Sequence, residues 1–307
     1  MKQIDLITGF LGAGKTTFIR RYADFLMRCG SKIGILENDY GAVNVDVMLL
    51  QDLEGENCGV EAVAGGCCAD CHRRRFKTKL IALGMSDYDR VLIEPSGIFD
   101  VDEFFDSLCE PPLDSWYEIG SVIAVVDADL GELSRESEYI LLSQAANAGR
   151  IVLSKSQNAT EEQINNTIAR LNAAAERFGC KRRFGADVIA KPWDELTDAD
   201  FEDIKNSGYQ GGSFTKRLDT DGYQSVYFLE HGLTENALRE KVNAIFEDKS
   251  CGSVFRIKGF FGDNGWKELN ASKSGISVTP VEKGQEVIIV IGEQLDENRI
   301  KKLVVGS

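Results

Sequence analysis

The sequence predicts an α/β fold in which a mostly parallel sheet is covered by helices, with a smaller α+β domain following it. Three observations carry this reading. Short apolar runs alternate with helix-period segments through about the first two-thirds of the chain, a glycine- and serine-rich stretch then interrupts the pattern, and a different rhythm of strand, helix and several strands follows. The division expected is a first domain at 1–207, a linker at 208–222 and a second domain at 223–307. At 307 residues the chain exceeds the usual size of one hydrophobic core, which agrees with two domains.

In the first domain the expected strands are Ile4–Thr8, Lys32–Glu37, Val60–Val63, Arg90–Glu94, Ser121–Asp127, Ile151–Leu153 and Asp187–Ala190. Between them Thr16–Cys29, Phe76–Leu83, Val101–Leu108, Leu130–Ala146, Glu161–Phe178 and Asp198–Asn206 read as helices. Thr160 before Glu161, Glu162 and Gln163 has the form of a capping box. Past the linker, strands are expected at Gln224–Leu229, Val254–Phe260, Trp266–Leu269, Ile276–Thr279 and Val287–Ile291, with helices at Leu233–Phe246 and Asp296–Leu303.

Composition excludes several classes. With 43% apolar and 27% charged residues the chain is not compositionally disordered, and no apolar run approaches the ~20 residues that cross a bilayer. A net charge of −14 argues against nucleic acid or an anionic membrane as partner. The amino terminus runs at once into the first motif, leaving no room for a cleavable signal, so a cytoplasmic protein is expected. In that reducing setting the eight cysteines are expected as thiols or metal ligands. Cys29, Cys58, Cys109, Cys180 and Cys251 stand singly and read as buried small apolar residues.

The first motif is Gly9-Phe-Leu-Gly12-Ala13-Gly14-Lys15-Thr16-Thr17, which satisfies G-x-x-x-x-G-K-[ST] between an apolar strand and a helix. Its glycines let successive backbone N–H groups curl around phosphate, and the helix N-terminus adds partial positive charge. Lys15 is expected to reach the β- and γ-phosphates and the Thr16 hydroxyl to ligate Mg²⁺. The fold class thereby narrows to a P-loop nucleoside triphosphatase.

Glu94, closing an apolar strand before Pro95-Ser96-Gly97, is the candidate second Mg²⁺ residue, with the Gly97 N–H placed to sense the terminal phosphate. Glu37 and Asp39 follow the second strand at the same sheet edge and are candidates to position the attacking water. For the base, Ser154-Lys155-Ser156-Gln157 follows a late strand, where Lys155 can stack and the Gln157 amide can accept one hydrogen bond. That segment lacks the charged bidentate contact of the Asn-Lys-x-Asp pattern, so ATP stays open beside GTP. No arginine finger stands out, and slow hydrolysis is expected until a partner or second subunit completes the site.

The second motif is Gly65-Gly66-Cys67-Cys68-Ala69-Asp70-Cys71-His72, with Cys68 and Cys71 at C-x-x-C spacing. Thiolates with an imidazole favour Zn²⁺ or another soft or borderline transition metal over Mg²⁺. A redox dithiol is the alternative, since C-x-x-C at a helix start lowers a thiol pKa and Arg73, Arg74 and Arg75 follow. Read literally, Cys68-Ala-Asp-Cys71-His72 is also a haem-attachment pattern, which an unexported chain does not use.

Taken together, these motifs resemble the CobW-type GTPases, relatives of the hydrogenase and urease nickel-insertion GTPases. The likeness extends to Ile35–Gly41, Val125–Ala128, Lys258–Trp266 and Gly284–Gly292. The resemblance implies Mg²⁺-dependent GTP binding and slow hydrolysis that gate delivery of a metal ion to a client metalloprotein or metalloenzyme, with a second copy of the chain as a further candidate partner. Two alternatives accompany it, an NTP-dependent activator of a corrinoid or metalloenzyme that uses the cysteines in redox, and a metal and nucleotide sensor without turnover. The chain departs from the family at the cysteine spacing, Cys-x-Cys-Cys in the family, and at Ser154–Gln157.

Overall fold

The computed structural model describes residues 1–39, 46–64, 69–97, 101–210, 223–229, 231–272, 275–281 and 286–305. The chain divides into two compact units, Met1–Lys216 and Arg217–Ser307.

The first unit is built on β1 (Lys2–Thr8), β2 (Ile33–Asp39), β3 (Cys58–Ala64), β4 (Arg90–Pro95), β5 (Tyr117–Asp127), β6 (Arg150–Ser154) and β7 (Val188–Ile189). They form one sheet in the order β3-β2-β4-β1-β5-β6-β7, parallel at every ladder. The expected fold class is met, with the sheet wholly parallel. A sheet buried on both faces calls for unbroken apolar strands, and β4 and β6 supply them as Arg-Val-Leu-Ile-Glu-Pro and Arg-Ile-Val-Leu-Ser. The chain leaves β1 in one direction and later returns past it to β5, so the carboxyl end of β1 lies at the reversal of strand order, where open α/β sheets bind ligands.

The helices are α1 (Lys15–Arg28), α2 (Ala69–Met85), α3 (Val101–Leu108), the short α4 (Leu113–Trp116), α5 (Arg135–Ala146), α6 (Glu161–Arg177) and α7 (Asp198–Lys205). One face of the sheet packs Ile7, Ile33, Ile35, Leu92, Ile123 and Val152 against the apolar stripe of α1 and against Phe201 and Ile204 of α7. Phe201 stacks on both Phe25 and Tyr22. Midway along β1, Asp5 is fully buried and accepts from the Arg90 guanidinium (2.6 and 2.8 Å), the Tyr22 hydroxyl (2.8 Å) and the Ser121 amide (2.7 Å). Burial beside that carboxylate holds the Tyr22 phenol well above its ordinary range.

Several boundaries differ from the sequence reading. α2 begins at Ala69 instead of Phe76, because His72 takes the first core position of a stripe continued by Phe76, Leu80 and Leu83, all buried. The Arg73–Arg75 run hides that periodicity. α5 begins at Arg135 instead of Leu130, since the Ser134 side chain accepts from the Ser137 amide and fixes the start there. β5 begins four residues early, at Tyr117, because Lys2, Gln3 and Ile4 of β1 pair with Tyr117, Glu118 and Ile119. The capping box of α6 forms as expected, with Thr160 and Gln163 satisfying each other's backbone. Cys29 and Cys109 are exposed, contrary to expectation, because each follows the last turn of a helix, α1 and α3; Cys58, Cys180 and Cys251 are buried.

The expected linker begins on the sheet: the Gly208 carbonyl accepts from the Val122 amide (2.9 Å), and the Gln210 amide donates to the Asn147 carbonyl (2.9 Å). Its remainder, 211–222, lies outside the described residues.

The second unit has β8 (Tyr223–Leu229), α8 (Glu235–Glu247), β9 (Ser253–Gly262), β10 (Trp266–Ser272), β11 (Gly275–Pro280), β12 (Val287–Glu293) and α9 (Glu297–Val305). Its strands form an antiparallel sheet ordered β11-β10-β9-β12-β8. Leu238, Val242 and Ile245 of α8 and Ile300 and Val304 of α9 close a core over Val254, Ile257, Phe261, Ile288 and Val290. This is the expected α+β domain.

Candidate nucleotide-binding site

The loop from Gly9 to Gly14 joins β1 to α1 at the carboxyl edge of the sheet. Gly12 and Gly14 have left-handed backbone, φ 77° and 92°, where a side chain is strained. Gly9 is required by contact as well, since a Cβ there would stand 2.3 Å from the Val125 carbonyl oxygen. Gly14 caps α1 without any side-chain hydrogen bond, and the first turn of α1 holds no acidic residue. The first N–H groups of a helix have no intrahelical acceptor. Uncapped and unopposed by a carboxylate, this terminus suits an anion. Lys15, the first residue of α1, is buried beside it.

Thr16 and Glu94 are brought together: the Thr16 hydroxyl donates to Glu94 Oε1 at 2.9 Å. Glu37 lies opposite Glu94 in the ladder between β2 and β4, and both are buried. Partners across a ladder share a face, so two carboxylates stand side by side next to the phosphate loop. The backbone of Asp39 ends β2 two residues on. Thr17 follows in the first turn of α1, and Ala13 is held by its amide, which donates to the Phe10 carbonyl (3.1 Å). A hydroxyl and a carboxylate in contact at this position are hard oxygen ligands of the kind Mg²⁺ takes, and the residues fit a magnesium–phosphate group.

Gly97 is buried against the same loop, where a Cβ would come within 2.7 Å of the Leu11 amide nitrogen. The Ser96 amide donates to the Asn38 carbonyl (2.8 Å), and the Gln144 side chain of α5 donates to the Gly97 carbonyl (3.0 Å). Gln144 was not foreseen in the sequence, where a glutamine in an apolar helix gives no signal of its own.

On the other flank, Lys155 follows β6 with left-handed backbone, φ 56°. Its ammonium pairs with the Asp127 carboxylate at 2.5 Å. The Ser156 hydroxyl donates to the Lys191 carbonyl (2.8 Å), tying this loop to the one after β7, while Gln157 is exposed in a single 3-10 turn. Trp193 was also unforeseen. Its indole N–H donates to the Leu153 carbonyl (2.8 Å), its ring meets Phe18 edge-on, and a Cβ on Gly14 would stand 3.2 Å from it. An aromatic wall therefore flanks the phosphate loop on the side of Lys155.

Of the cysteine motif, Cys67 and Cys68 lie outside the described residues. Cys71 is half-buried and His72 buried, both in the first turn of α2. Neighbouring helical residues diverge by roughly 100° about the axis, so these two side chains leave the helix on different sides. Among the described residues no group of three His, Cys, Asp or Glu side chains could hold a metal ion. Nor, among them, is any helix long and apolar enough to cross a membrane.

An uncapped helix after a glycine loop, a Thr–Glu pair beside it and a wholly parallel sheet define a P-loop nucleotide-binding protein of the α/β class. A family model described as CobW/HypB/UreG, nucleotide-binding domain, matches residues 3–179, more than half the chain, and the chain belongs to that family. Among known proteins it is similar to the zinc chaperone YjiA of Escherichia coli (strain K12), 33% identical over 185 residues that cover 56% of this chain and 55% of that one. The zinc chaperone YeiR of the same organism is 32% identical over 165 residues, 53% of this chain and 49% of its own. The chain thus spans about half the length of these curated relatives. A crystal structure of Zn(II)-bound YjiA GTPase from E. coli aligns over 99% of this chain and 98% of its own at 20% identity, with a TM-score of 0.41.

Proposed function

We propose that this chain is a Mg²⁺-dependent GTPase whose nucleotide state governs the holding of a transition-metal ion, zinc in the first instance, and its transfer to a client metalloprotein. The observation that carries the hydrolase half is the Thr16–Glu94 hydrogen bond beside an uncapped helix N-terminus that follows the glycine loop. The metal half is supported by the clustered Cys67, Cys68 and Cys71, and by the similarity to the zinc chaperones YjiA and YeiR. His72 is a weaker ligand candidate because its ring is buried.

In this reading residues 1–207 handle the nucleotide. The N–H groups at the start of α1 and the Lys15 ammonium hold the β- and γ-phosphates and stabilise the charge that develops as water attacks. Mg²⁺, held by Thr16 and Glu94, would offset phosphate charge when bound. Glu37 or Asp39 orients the water, and the Gly97 N–H registers the terminal phosphate. Lys155 and Gln157 face the base, with Trp193 as a wall. GTP is preferred over ATP because the chain is also similar, at 25% identity over 183 residues, to a zinc-regulated GTPase metalloprotein activator of Schizosaccharomyces pombe. A second copy of the chain or the client supplies the cation that speeds hydrolysis, and the setting is cytoplasmic.

The test is equilibrium binding of GTP, ATP and their diphosphates, with phosphate release followed in parallel and Lys15→Ala as control. Tighter binding of GTP than ATP, with phosphate release at least tenfold above the control, is expected. Release equal to that of Lys15→Ala would rule out a hydrolase.

A further inference from the structure

The geometry points to Gln144 as the residue that positions Gly97 and so sets how strongly the site prefers a nucleoside triphosphate to a diphosphate. This rests on the reading above, in which the Gly97 N–H meets the terminal phosphate.

α5 is a core helix in which Tyr139 through Ala146 are all buried. Gln144 is the one amide side chain in that run, and it is fully buried. A buried amide has two donors and an acceptor to satisfy, and most such groups are satisfied. Here Nε2 donates to the Gly97 carbonyl at 3.0 Å, while Oε1 has no hydrogen-bond partner among the described residues. Packing alone would be met by methionine or leucine at this position. Among the described residues the amide adds one hydrogen bond, and it is made to Gly97 after β4.

Ser96 and Gly97 have little other freedom. Gly97 lies so close to the phosphate loop that a Cβ would reach Leu11 N at 2.7 Å and Leu11 Cα at 2.9 Å. One residue earlier, Ser96 is tied through its amide to the Asn38 carbonyl of β2. With Ser96 anchored on one side and its own carbonyl anchored by Gln144 on the other, rotation about the Gly97 backbone is restricted from both ends. Glycine is the residue with most to lose from such restriction. A backbone donor fixed before the ligand arrives costs no reorganisation when the phosphate binds. A diphosphate lacks the group this donor would meet, so the contribution falls on the triphosphate alone. Gln144 touches neither nucleotide nor metal in this scheme and is a positioning residue.

The experiment compares affinities for GMPPNP and GDP, with AMPPNP and ADP as a second pair, in the full chain and in Gln144→Met and Gln144→Glu. Methionine keeps length and apolar contacts but donates nothing. Glutamate keeps shape and sets an acceptor against the Gly97 carbonyl. The triphosphate-to-diphosphate affinity ratio should fall about tenfold in Gln144→Met and further in Gln144→Glu, with diphosphate affinity within twofold of the parent chain. A purely structural role would weaken both nucleotides together and leave the ratio unchanged, which overturns the inference. Amide hydrogen exchange in the parent chain gives a reading independent of any variant's folding. Gly97 and its neighbours should exchange at least tenfold more slowly with GMPPNP than with GDP, and equal exchange would count against the inference. If the parent chain binds neither nucleotide pair, the functional reading fails and this inference falls with it; if it binds both and the ratio does not move, only the inference fails.

Discussion

Replacing Gly97 by alanine tests whether the loop after β4 and the phosphate loop are packed as one piece. The new methyl group would stand 2.7 Å from the Leu11 amide nitrogen, 2.8 Å from Leu11 Cδ2 and 2.9 Å from Leu11 Cα. Unstrained contacts fall at about 3.5–4.0 Å, so something must move by most of an ångström. Because two of the three obstacles are backbone atoms, rotamer change alone cannot relieve the contact. Overpacking of this kind costs about 1–3 kcal/mol, and the upper half of that range is expected here. In a unit of this size each kcal/mol lowers Tm by about 2–4 °C, so the nucleotide-free protein should melt roughly 4–12 °C lower. The displaced backbone is that of Leu11, inside the loop proposed to meet phosphate, so GMPPNP affinity should also fall, by about tenfold for each 1.4 kcal/mol transmitted. Differential scanning fluorimetry without ligand and isothermal titration calorimetry with GMPPNP read the two effects. A melt within 1 °C of the parent would refute the packing argument, and a lowered melt with full GMPPNP affinity would refute its link to the phosphate site.

Three further outcomes follow from single residues. Trp193 borders Gly14, so nucleotide binding should change intrinsic fluorescence, and Trp193→Phe should remove most of that change although Trp116 and Trp266 remain; an undiminished signal would place the indole away from the ligand. Asp200 has its carboxyl lowered to about 2, chiefly by Lys191 and then by the Thr197 amide and hydroxyl. A lowered folded pKa gives stability that is present above the unfolded value near 4 and is lost as pH falls toward 2. Asp200→Asn should therefore flatten the fall of stability across that window and leave its slope at pH 6–8 unchanged, as read by urea melts at each pH. Burial raises the Cys58 thiol to about 11, so at pH 8 iodoacetamide should label exposed Cys29 and Cys109 in minutes and spare Cys58 in the folded chain; equal labelling would contradict its placement in β3.

Much of the nucleotide half was legible because it is written in contiguous residues. Gly9–Thr17 carries its own spacing, and Glu94 closes a short apolar run that reads as a strand. What escaped the sequence reading depends on side chains meeting across long separations. Gln144 lies 47 residues from Gly97, and Trp193 reaches the Gly14 turn from the far side of β7. The Lys155–Asp127 pair joins the ends of two neighbouring strands. The start of α2 is obscured by the same residue that makes its first turn attractive as a metal motif: His72 stands out in the sequence for its chemistry, whereas its burial with Phe76 and Leu80 makes it part of the core stripe. The extra residues of β5 were hidden because Glu118 and Gly120 interrupt the apolar run; Gly120 is needed where a Cβ would come within 2.2 Å of buried Asp5.

Coupling between nucleotide state and metal binding is read most directly by measuring Zn²⁺ affinity of the GDP-bound and GMPPNP-bound chain by competition with a chromophoric chelator. Linkage requires that whatever zinc does to nucleotide affinity, nucleotide does to zinc affinity, and couplings of this kind usually amount to fivefold or more. A difference of at least fivefold between the two forms is expected, abolished in the Cys68→Ser, Cys71→Ser double variant. Equal zinc affinity in both forms would contradict it, whatever the rate of hydrolysis.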